Sequence, residues 1–152
     1  MLRDRVAKVA ATFFYVGLVP YAPGTAGTVA AALLYVVVLS RLGPLHYAAF
    51  LVVVAAVGVW SAGVMERVEG ARDPRCVVID EVCGFGVTMA LVPEPAWWTV
   101  VLGFVLFRVF DVLKPQPARA LERLPGGAGV VADDVMAGLY ANLVLQAVTR
   151  LA

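Results

Sequence analysis

The sequence predicts an all-α protein, a compact helical bundle with about five membrane-embedded helices. Hydrophobic residues make up 62% of the chain and charged residues 15%, whereas soluble domains average about 45–50% and 25%. The mean hydropathy is +0.88. Two stretches, 9–40 and 42–65, carry no charge, and short charged loops rich in proline and glycine separate the remaining apolar segments. This pattern is typical of a multi-pass membrane protein.

The first half of the chain predicts three apolar segments. We expect an interfacial or re-entrant helix that ends near Val19, after a basic start. The next eight residues, PYAPGTAG (20–27), predict a tight loop because two prolines and two glycines interrupt the run. A helix is expected over 28–40. The clearest spanning helix covers 45–65, long enough to cross a hydrocarbon core of ~30 Å.

The second half predicts a charged loop, a helical hairpin and a final helix. The loop covers 66–75, and the hairpin runs over 76–111. Pro93-Glu94-Pro95 is its predicted turn, and Trp97 and Trp98 are expected at the membrane interface. Both limbs of the hairpin are short for full spans, so one end should be shielded by protein or by thinned lipid. The last helix is expected over 134–149.

The distribution of basic residues predicts the orientation. If the N-terminus is cytoplasmic, ten of the twelve basic residues lie on the cytoplasmic side, as the positive-inside rule favours. Only Arg41 and Arg150 then lie outside. The cytoplasmic set is Arg3, Arg5, Lys8, Arg67, Arg72, Arg75, Arg108, Lys114, Arg119 and Arg123.

The same topology gathers five acidic residues at one membrane face. They are Asp80, Glu81, Asp111, Asp133 and Asp134. Acidic residues near membrane depth are costly and usually functional. Capping of helix N-termini could explain four of them singly, but not two adjacent pairs, nor Asp111 at a helix C-terminus. We therefore expect the active-site loops on one face.

Small residues follow two of these acids at helical spacing. Gly84 lies four residues after Asp80, and Gly138 lies four residues after Asp134, which places each glycine one turn along the same helix face. Since small residues let membrane helices approach closely, the two helices are expected to cross just beneath the acids. Asn142 and Gln146 extend the stripe on the last helix, which should face the bundle.

The residue types at this face predict a metal ion and a phosphate. Carboxylates without histidine or cysteine suit Mg²⁺, completed by water and substrate phosphate. Arg108 offers a fork for phosphate oxygens and Lys114 a point charge. Glycines 24, 27, 126, 127 and 129 would permit close backbone approach to an anion.

Cysteine phosphatases and histidine-nucleophile lipid phosphatases are excluded. The first class needs an arginine six residues after its cysteine, and neither Cys76 nor Cys83 has one. The second needs more than a single histidine, and His46 is the only one. The glycine-rich turn is not a P-loop, because no Gly-Lys-Ser/Thr follows it. Metal-assisted hydrolysis remains, although direct attack by a carboxylate stays open.

Four blocks of the chain resemble the phosphatidylglycerophosphatase A (PgpA) family. They are GLVPYAPGTAGT (17–28), DPRCVVIDEVCG (73–84), FRVFDVLKPQP (107–117) and GGAGVVADDVMAGLYAN (126–142). The resemblance implies that residues 1–152 form one domain. It also implies a Mg²⁺-dependent enzyme of the bacterial inner membrane. Its reaction would remove the terminal phosphate of phosphatidylglycerophosphate at the cytoplasmic side.

The resemblance also implies roles for individual residues. The catalytic set would be Asp80, Glu81, Asp111, Asp133 and Asp134. Arg108 and Lys114 would bind the substrate phosphate, with Pro23, Gly24 and Thr25 shaping the loop over it. The metal ligands are expected among Asp80, Glu81, Asp133 and Asp134, and which acid acts as base stays open.

Two alternatives to a membrane phosphatase follow from the same residues. A small transporter would also place acids inside a helical bundle, but would spread them across the bilayer depth. The second alternative is a non-catalytic PgpA-like helical protein that binds metal or a small ligand. The net charge of +1 offers no basic field for nucleic acid, so the expected partner is a phospholipid substrate. No oligomeric state is indicated.

Overall fold

The computed structural model describes residues 1–92 and 96–151. Within these residues the secondary structure is helical throughout, as the sequence predicts, with seven α-helices and two 3-10 turns, Val16–Leu18 and Leu39–Arg41. The α-helices are α1 (Leu2–Ala11), α2 (Pro23–Val37), α3 (Pro44–Glu69), α4 (Ile79–Thr88), α5 (Trp97–Leu113), α6 (Ala118–Leu121) and α7 (Gly127–Leu151).

The short helix α4 lies at the centre of the bundle. Nine of its ten residues are buried, and it packs against α2, α3, α5 and α7. The backbone N–H of Val78 donates to the carbonyl of Ala11 at 2.8 Å, which ties its start to the end of α1. At its other end, the Asn142 amide donates to the carbonyls of Thr88 and Ala90, each at 2.8 Å. Hydrogen bonds to neighbouring segments thus anchor both ends of this buried helix.

The apolar core forms around α4. Phe85 of α4 and Phe107 of α5 are fully buried and pack edge to face, with ring centroids 6.3 Å apart. Met65, Met89 and Leu145 are buried with them. These side chains come from α3, the end of α4 and α7, so one core joins the helices that surround α4.

Three segments are long and apolar enough to cross a membrane: Pro23–Arg41, Pro44–Glu69 and Gly127–Leu151. Large apolar side chains cover their outer faces, such as Leu33, Val52 and Leu143, which are 61–69% exposed. A membrane protein presents such a surface to lipid. By length and composition, these three helices agree with the prediction of about five membrane-embedded helices. The remaining segments are shorter, and five spans stay a prediction.

Two predicted loops are helical instead. α2 begins at Pro23 rather than Thr28, so Pro23, Gly24 and Thr25 form its first turn. Proline is favoured at that position because its fixed φ suits a helix start, and Ala22 makes the turn with φ +46°. Likewise α7 begins at Gly127 rather than near Asp134.

The glycines at the start of α7 permit close packing against protein backbone. A Cβ atom on Gly127 would lie 2.6 Å from the backbone N of Gly63 in α3, and one on Gly129 would lie 2.5 Å from the carbonyl of Leu124. At these two residues the close approach observed is to protein backbone, and approach to an anion stays a prediction.

The other boundaries shift by a few residues. α1 ends at Ala11 rather than near Val19, because the Thr12 hydroxyl donates to the carbonyl of Lys8 and accepts from the backbone N–H of Tyr15. α3 continues four residues beyond Met65, to Glu69, and stops at Gly70 with φ +64°. The predicted turn Pro93-Glu94-Pro95 lies outside the described residues.

Candidate active site

Helix ends meet around one polar cavity of about 380 Å³. The first turns of α2 and α4, the last turn of α5 and the second turn of α7 form its walls. All ten residues predicted for the site line it: Pro23, Gly24, Thr25, Asp80, Glu81, Arg108, Asp111, Lys114, Asp133 and Asp134. The structure thus brings together residues from blocks up to about a hundred positions apart in the sequence.

Three of the acids form a tight cluster. One carboxylate oxygen from each of Asp80, Glu81 and Asp134 lies within 4.8 Å of the others. The three residues are only 4–8% exposed. Asp80 and Glu81 occupy the first turn of α4, and Asp134 lies in α7, so the cluster bridges two helices.

The crossing of α4 and α7 sets the distance between these acids. Gly84 and Gly138 are the contact points, one turn from Asp80 and Asp134. A Cβ atom on Gly84 would lie 2.7 Å from the carbonyl oxygen of Asp134. The predicted close crossing beneath the acids is therefore confirmed, and so is the bundle-facing stripe, since Asn142 binds the end of α4.

The acid cluster has the chemistry of a divalent-cation site. Within the described part of the chain, Asp80 Oδ1, Glu81 Oε2 and Asp134 Oδ2 are buried and have no hydrogen-bond partner. Buried polar atoms normally have partners, because an unsatisfied one is costly. An all-oxygen set of carboxylates is what a hard cation such as Mg²⁺ prefers, so these residues fit the ion.

Burial also changes proton binding at the cluster. Asp80 belongs to α4, outside the three candidate spans. Desolvation raises the pKa of this carboxyl well above its ordinary value, and the negative charges of Glu81 and Asp134 raise it further. A cation bound here would replace protons and relieve the same repulsion.

Arg108 connects the cluster to the last turn of α5. Its Nη1 atom lies 2.7 Å from Asp111 Oδ2 and 3.9 Å from Glu81 Oε1. Asp111 is three residues further along the helix, so it holds the guanidinium toward the cavity. The remaining N–H groups of the fork are then available to an anion.

Lys114 and Asp133 form a second charged pair. The Lys114 ammonium lies 2.5 Å from Asp133 and 3.1 Å from Glu122. Burial alone would lower the pKa of Lys114, but these two carboxylates outweigh it and raise that pKa. Asp133 therefore faces a cation rather than the carboxylate cluster, and its predicted role as a metal ligand stays a prediction.

The start of α2 closes the cavity over Arg108 and Glu81. A Cβ atom on Gly24 would lie 3.3 Å from Arg108 Nη1 and closer still to Glu81 Oε1. Only a glycine lets the backbone come so near. The first amides of a helix lack intrahelical acceptors, so those of Gly24 and Thr25 can bind an anion.

A comparison with protein families identifies the chain. The family model of phosphatidylglycerophosphatase A matches residues 9–149. The chain belongs to the PgpA family. The prediction from the four sequence blocks is confirmed, and the PgpA family places this chain among lipid phosphatases.

Three curated relatives are similar to this chain. A Haemophilus influenzae phosphatidylglycerophosphatase A is 36% identical, and the match covers 87% of this chain and 82% of the relative. The Escherichia coli protein of the same name is 32% identical, and the match covers 85% of this chain and 75% of the relative. A Bacteroides thetaiotaomicron protein named "Putative phosphatidylinositol-3-phosphatase" is 39% identical, and the match covers 91% of this chain and 90% of the relative. No solved structure matches the chain.

Two charged residues of this PgpA-family cavity lie outside the predicted set, Asp73 and Arg75. Both belong to the block 73–84 on which the resemblance rests, so the sequence carried a signal for them. The backbone N–H of Asp73 donates to Glu66 Oε1 at 3.1 Å, which holds the loop against the end of α3. Arg75 brings a third cation to the cavity.

The arrangement can bind a doubly charged phosphate beside a metal ion. Carboxylates of α4, α5 and α7 and the cations Arg75, Arg108 and Lys114 line the same cavity. A metal ion at the carboxylates and these cations would together balance the charge of a bound phosphomonoester, as phosphoryl transfer requires.

Proposed function

We propose that this chain hydrolyses the terminal phosphomonoester of phosphatidylglycerophosphate to phosphatidylglycerol, with Mg²⁺ as cofactor. The observation that carries the proposal is the buried cluster of Asp80, Glu81 and Asp134 beside three cations, in a chain of the PgpA family. Two relatives bear the name of this activity. The proposal includes one domain over 1–152 in a bacterial inner membrane, with the cavity facing the cytoplasm.

Asp80, Glu81 and Asp134 would hold the metal ion through their unpartnered oxygens. When bound, Mg²⁺ supplies Lewis-acid neutralisation of the phosphate charge. The three carboxylates would hold the ion beside the helix crossing and leave water from the cavity to supply its other ligands.

Arg108 and Lys114 would bind the substrate phosphate in the cavity. The guanidinium fork suits two phosphate oxygens at once, and Asp111 fixes its direction at 2.7 Å. The amides of Gly24 and Thr25 would donate to a third oxygen. These contacts hold the phosphorus atom in place for attack by water.

The attacking water must lose a proton, and Asp133 would accept it. Its Oδ2 atom is held by Lys114, while Oδ1 is buried without a hydrogen-bond partner. As the bond from phosphorus to the glycerol oxygen breaks, that oxygen would take up a proton from water in the cavity, and Asp133 would return its proton to solvent. The products are phosphatidylglycerol and inorganic phosphate.

A second candidate substrate is phosphatidylinositol 3-phosphate. The relative at 39% identity carries the name of that activity. Both lipids present a phosphomonoester on a membrane-anchored head group, so the same cluster and cations would serve either. Direct comparison of the two lipids decides between them.

The position of the acids favours an enzyme over a transporter. Asp80, Glu81, Asp111, Asp133 and Asp134 all line one cavity at one end of the bundle. A transport path would need polar groups along the bundle, whereas the middle of the core is formed by Phe85, Phe107 and Leu145.

Phosphate release in detergent micelles tests the proposal. Purified protein is given phosphatidylglycerophosphate or phosphatidylinositol 3-phosphate, each with Mg²⁺ or with excess chelator. We expect release from phosphatidylglycerophosphate only with Mg²⁺. Full activity in chelator would disprove the metal's role, and faster release from the inositol lipid would reassign the substrate. Release from neither lipid would disprove the proposed activity.

A further inference from the structure

An apolar groove separates α2 from α5 on the outer surface of the bundle. Its volume is about 330 Å³. Seven residues line it, and all are apolar: Val29, Ala32, Leu33 and Val36 from α2, and Val100, Val101 and Phe104 from α5. Ala32, Val100 and Phe104 are partly buried against the core and form its floor. Leu33 and Val101, 61% and 54% exposed, form its rims.

The groove continues the polar cavity along the same two helices. Val29 follows Thr25 by four residues, and Phe104 precedes Arg108 by four, so each pair shares a helix face. Thr25 and Arg108 line the cavity. Because α2 begins at the cavity and α5 ends there, both walls of the groove lead into it.

The dimensions suit one leaflet of a bilayer. At 1.5 Å per residue, the α5 wall from Arg108 to Val100 is about 12 Å long, and the α2 wall from Thr25 to Val36 is about 16 Å. Half of the ~30 Å hydrocarbon core is about 15 Å. In phosphatidylglycerophosphate, a glycerol and a phosphodiester separate the terminal phosphate from the acyl chains. With the terminal phosphate at Arg108 and this head group lying along the membrane surface, the acyl chains would descend at the depth of the groove.

We propose that this groove binds an acyl chain of the lipid phosphomonoester while its phosphate occupies the polar cavity. The inference rests on the proposed lipid phosphatase function. It assigns a binding site to an acyl chain, a part of the substrate that the reaction does not change. The substrate enters sideways from the membrane between α2 and α5. Binding energy from the chain then positions the phosphate at the carboxylates.

A substitution on the groove floor tests the proposal. Ala32→Leu adds three carbon atoms where the acyl chain would lie. Ala56→Leu makes the same change at an exposed position of α3, away from the groove. The probes are dioleoyl and dihexanoyl phosphatidylglycerophosphate in detergent micelles at equal surface concentration. The short chains would end near the mouth of the groove.

We expect Ala32→Leu to raise KM for the dioleoyl lipid about tenfold, the lower end of the effect of a methylene in an apolar pocket. For the dihexanoyl lipid, kcat/KM of Ala32→Leu should equal that of the wild type. For Ala56→Leu, kcat/KM should equal that of the wild type on both lipids. Equal behaviour of the two variants on the dioleoyl lipid would overturn the proposal, because the groove would then hold only bulk lipid.

Two further outcomes are distinguishable. If the wild type hydrolyses neither lipid, the proposed function fails rather than the groove alone. If Ala32→Leu loses activity on both lipids, the fold is damaged, and Val101→Trp at the exposed rim replaces it. That variant must then raise KM for the dioleoyl lipid alone, or the proposal is wrong.

Discussion

Gly84 of α4 and Gly138 of α7 lie against each other, one helical turn from Asp80 and Asp134. A Cβ atom on Gly84 would lie 2.7 Å from the carbonyl oxygen of Asp134, and one on Gly138 would lie 3.1 Å from the Cβ atom of Val87. The packing of two central helices and the spacing of two candidate metal ligands therefore depend on one contact. A change that separates the helices also separates the acids.

Gly138→Ala tests this dependence. We expect the added methyl group to lower the free energy of unfolding by about 1–3 kcal/mol, as overpacking of a tight interior does. Phosphatase activity should fall as well, because Asp134 moves away from Asp80. Thermal unfolding in detergent and phosphate release from phosphatidylglycerophosphate measure the two effects.

Gly43→Ala is the matched control for this substitution. Gly43 precedes α3 with φ −66°, and a Cβ atom there would have no neighbour within 4 Å. It should leave both the unfolding temperature and the activity unchanged. If Gly138→Ala behaved in the same way, the crossing would not control the acid cluster.

The helix crossing could be predicted from the sequence because it depends on a local spacing. Four residues separate each acid from its glycine, and a helix converts that interval into one face. The grouping of the five acids also followed from the sequence, since the alternation of apolar and charged segments assigns each helix end to a membrane face.

The first turns of α2 and α7 could not be predicted in the same way. Local signals at Pro23-Gly24 and Gly126-Gly127 are equally suited to a turn and to a helix start. What decides is packing against distant residues. Gly127 is needed because α3 passes at Gly63, and Gly24 because Glu81 and Arg108 lie beside it.

The sequence also did not indicate which residue Asp133 contacts. Asp133 and Asp134 are adjacent, yet one faces Lys114 and the other faces the carboxylates of α4. Successive helical residues point about 100° apart, so an adjacent pair need not share a site. Which residue faces which neighbour depends on the rotation of α7, and that is set by tertiary packing.

Asp80→Asn and Asp134→Asn should each reduce activity by more than about a hundredfold, or about 2.7 kcal/mol of transition-state stabilisation. Each removes a charged ligand from the proposed metal site. In chelator, both variants should be at least as stable as the wild type, because one of three neighbouring buried carboxylates becomes neutral. Activity assays and thermal unfolding in detergent measure the two effects.

Added Mg²⁺ separates a lost ligand from a damaged fold. A ligand that binds only the folded state stabilises it by about 2.7 kcal/mol at a hundred times its Kd, so the unfolding temperature of the wild type should rise with Mg²⁺. The two variants should show little rise. Glu69→Gln, an exposed change at the end of α3, should respond like the wild type. Equal Mg²⁺ stabilisation of Asp80→Asn would contradict the assignment.

Lys114→Met should destabilise the protein, because it leaves the Asp133 carboxylate buried without a cation. Breaking a buried pair costs about 3–5 kcal/mol. Since the Lys114 side chain is 23% exposed and water can enter, we expect about 1–3 kcal/mol. Denaturant unfolding in detergent measures this loss.

The double variant Lys114→Met/Asp133→Asn checks the cause. With the carboxylate neutral, part of the lost stability should return, although activity should stay low. Lys8→Met, an exposed lysine of α1, should have little effect. No recovery in the double variant would mean that the lysine stabilises the fold through its apolar stem instead.

Cysteine labelling tests the proposed orientation. Arg119 lies in α6, five residues after Lys114 of the cavity wall. Arg41 ends the first candidate span, whose start lines the cavity. The two positions should therefore lie on opposite sides of the membrane.

In a background with Cys76→Ser and Cys83→Ala, a cysteine at position 119 should react with a membrane-impermeant maleimide only from the cytoplasmic side. A cysteine at position 41 should react only from outside. Labelling of both from one side would disprove a first span between them. Reversed labelling would place the cavity outside, away from the leaflet to which ten of the twelve basic residues assign it.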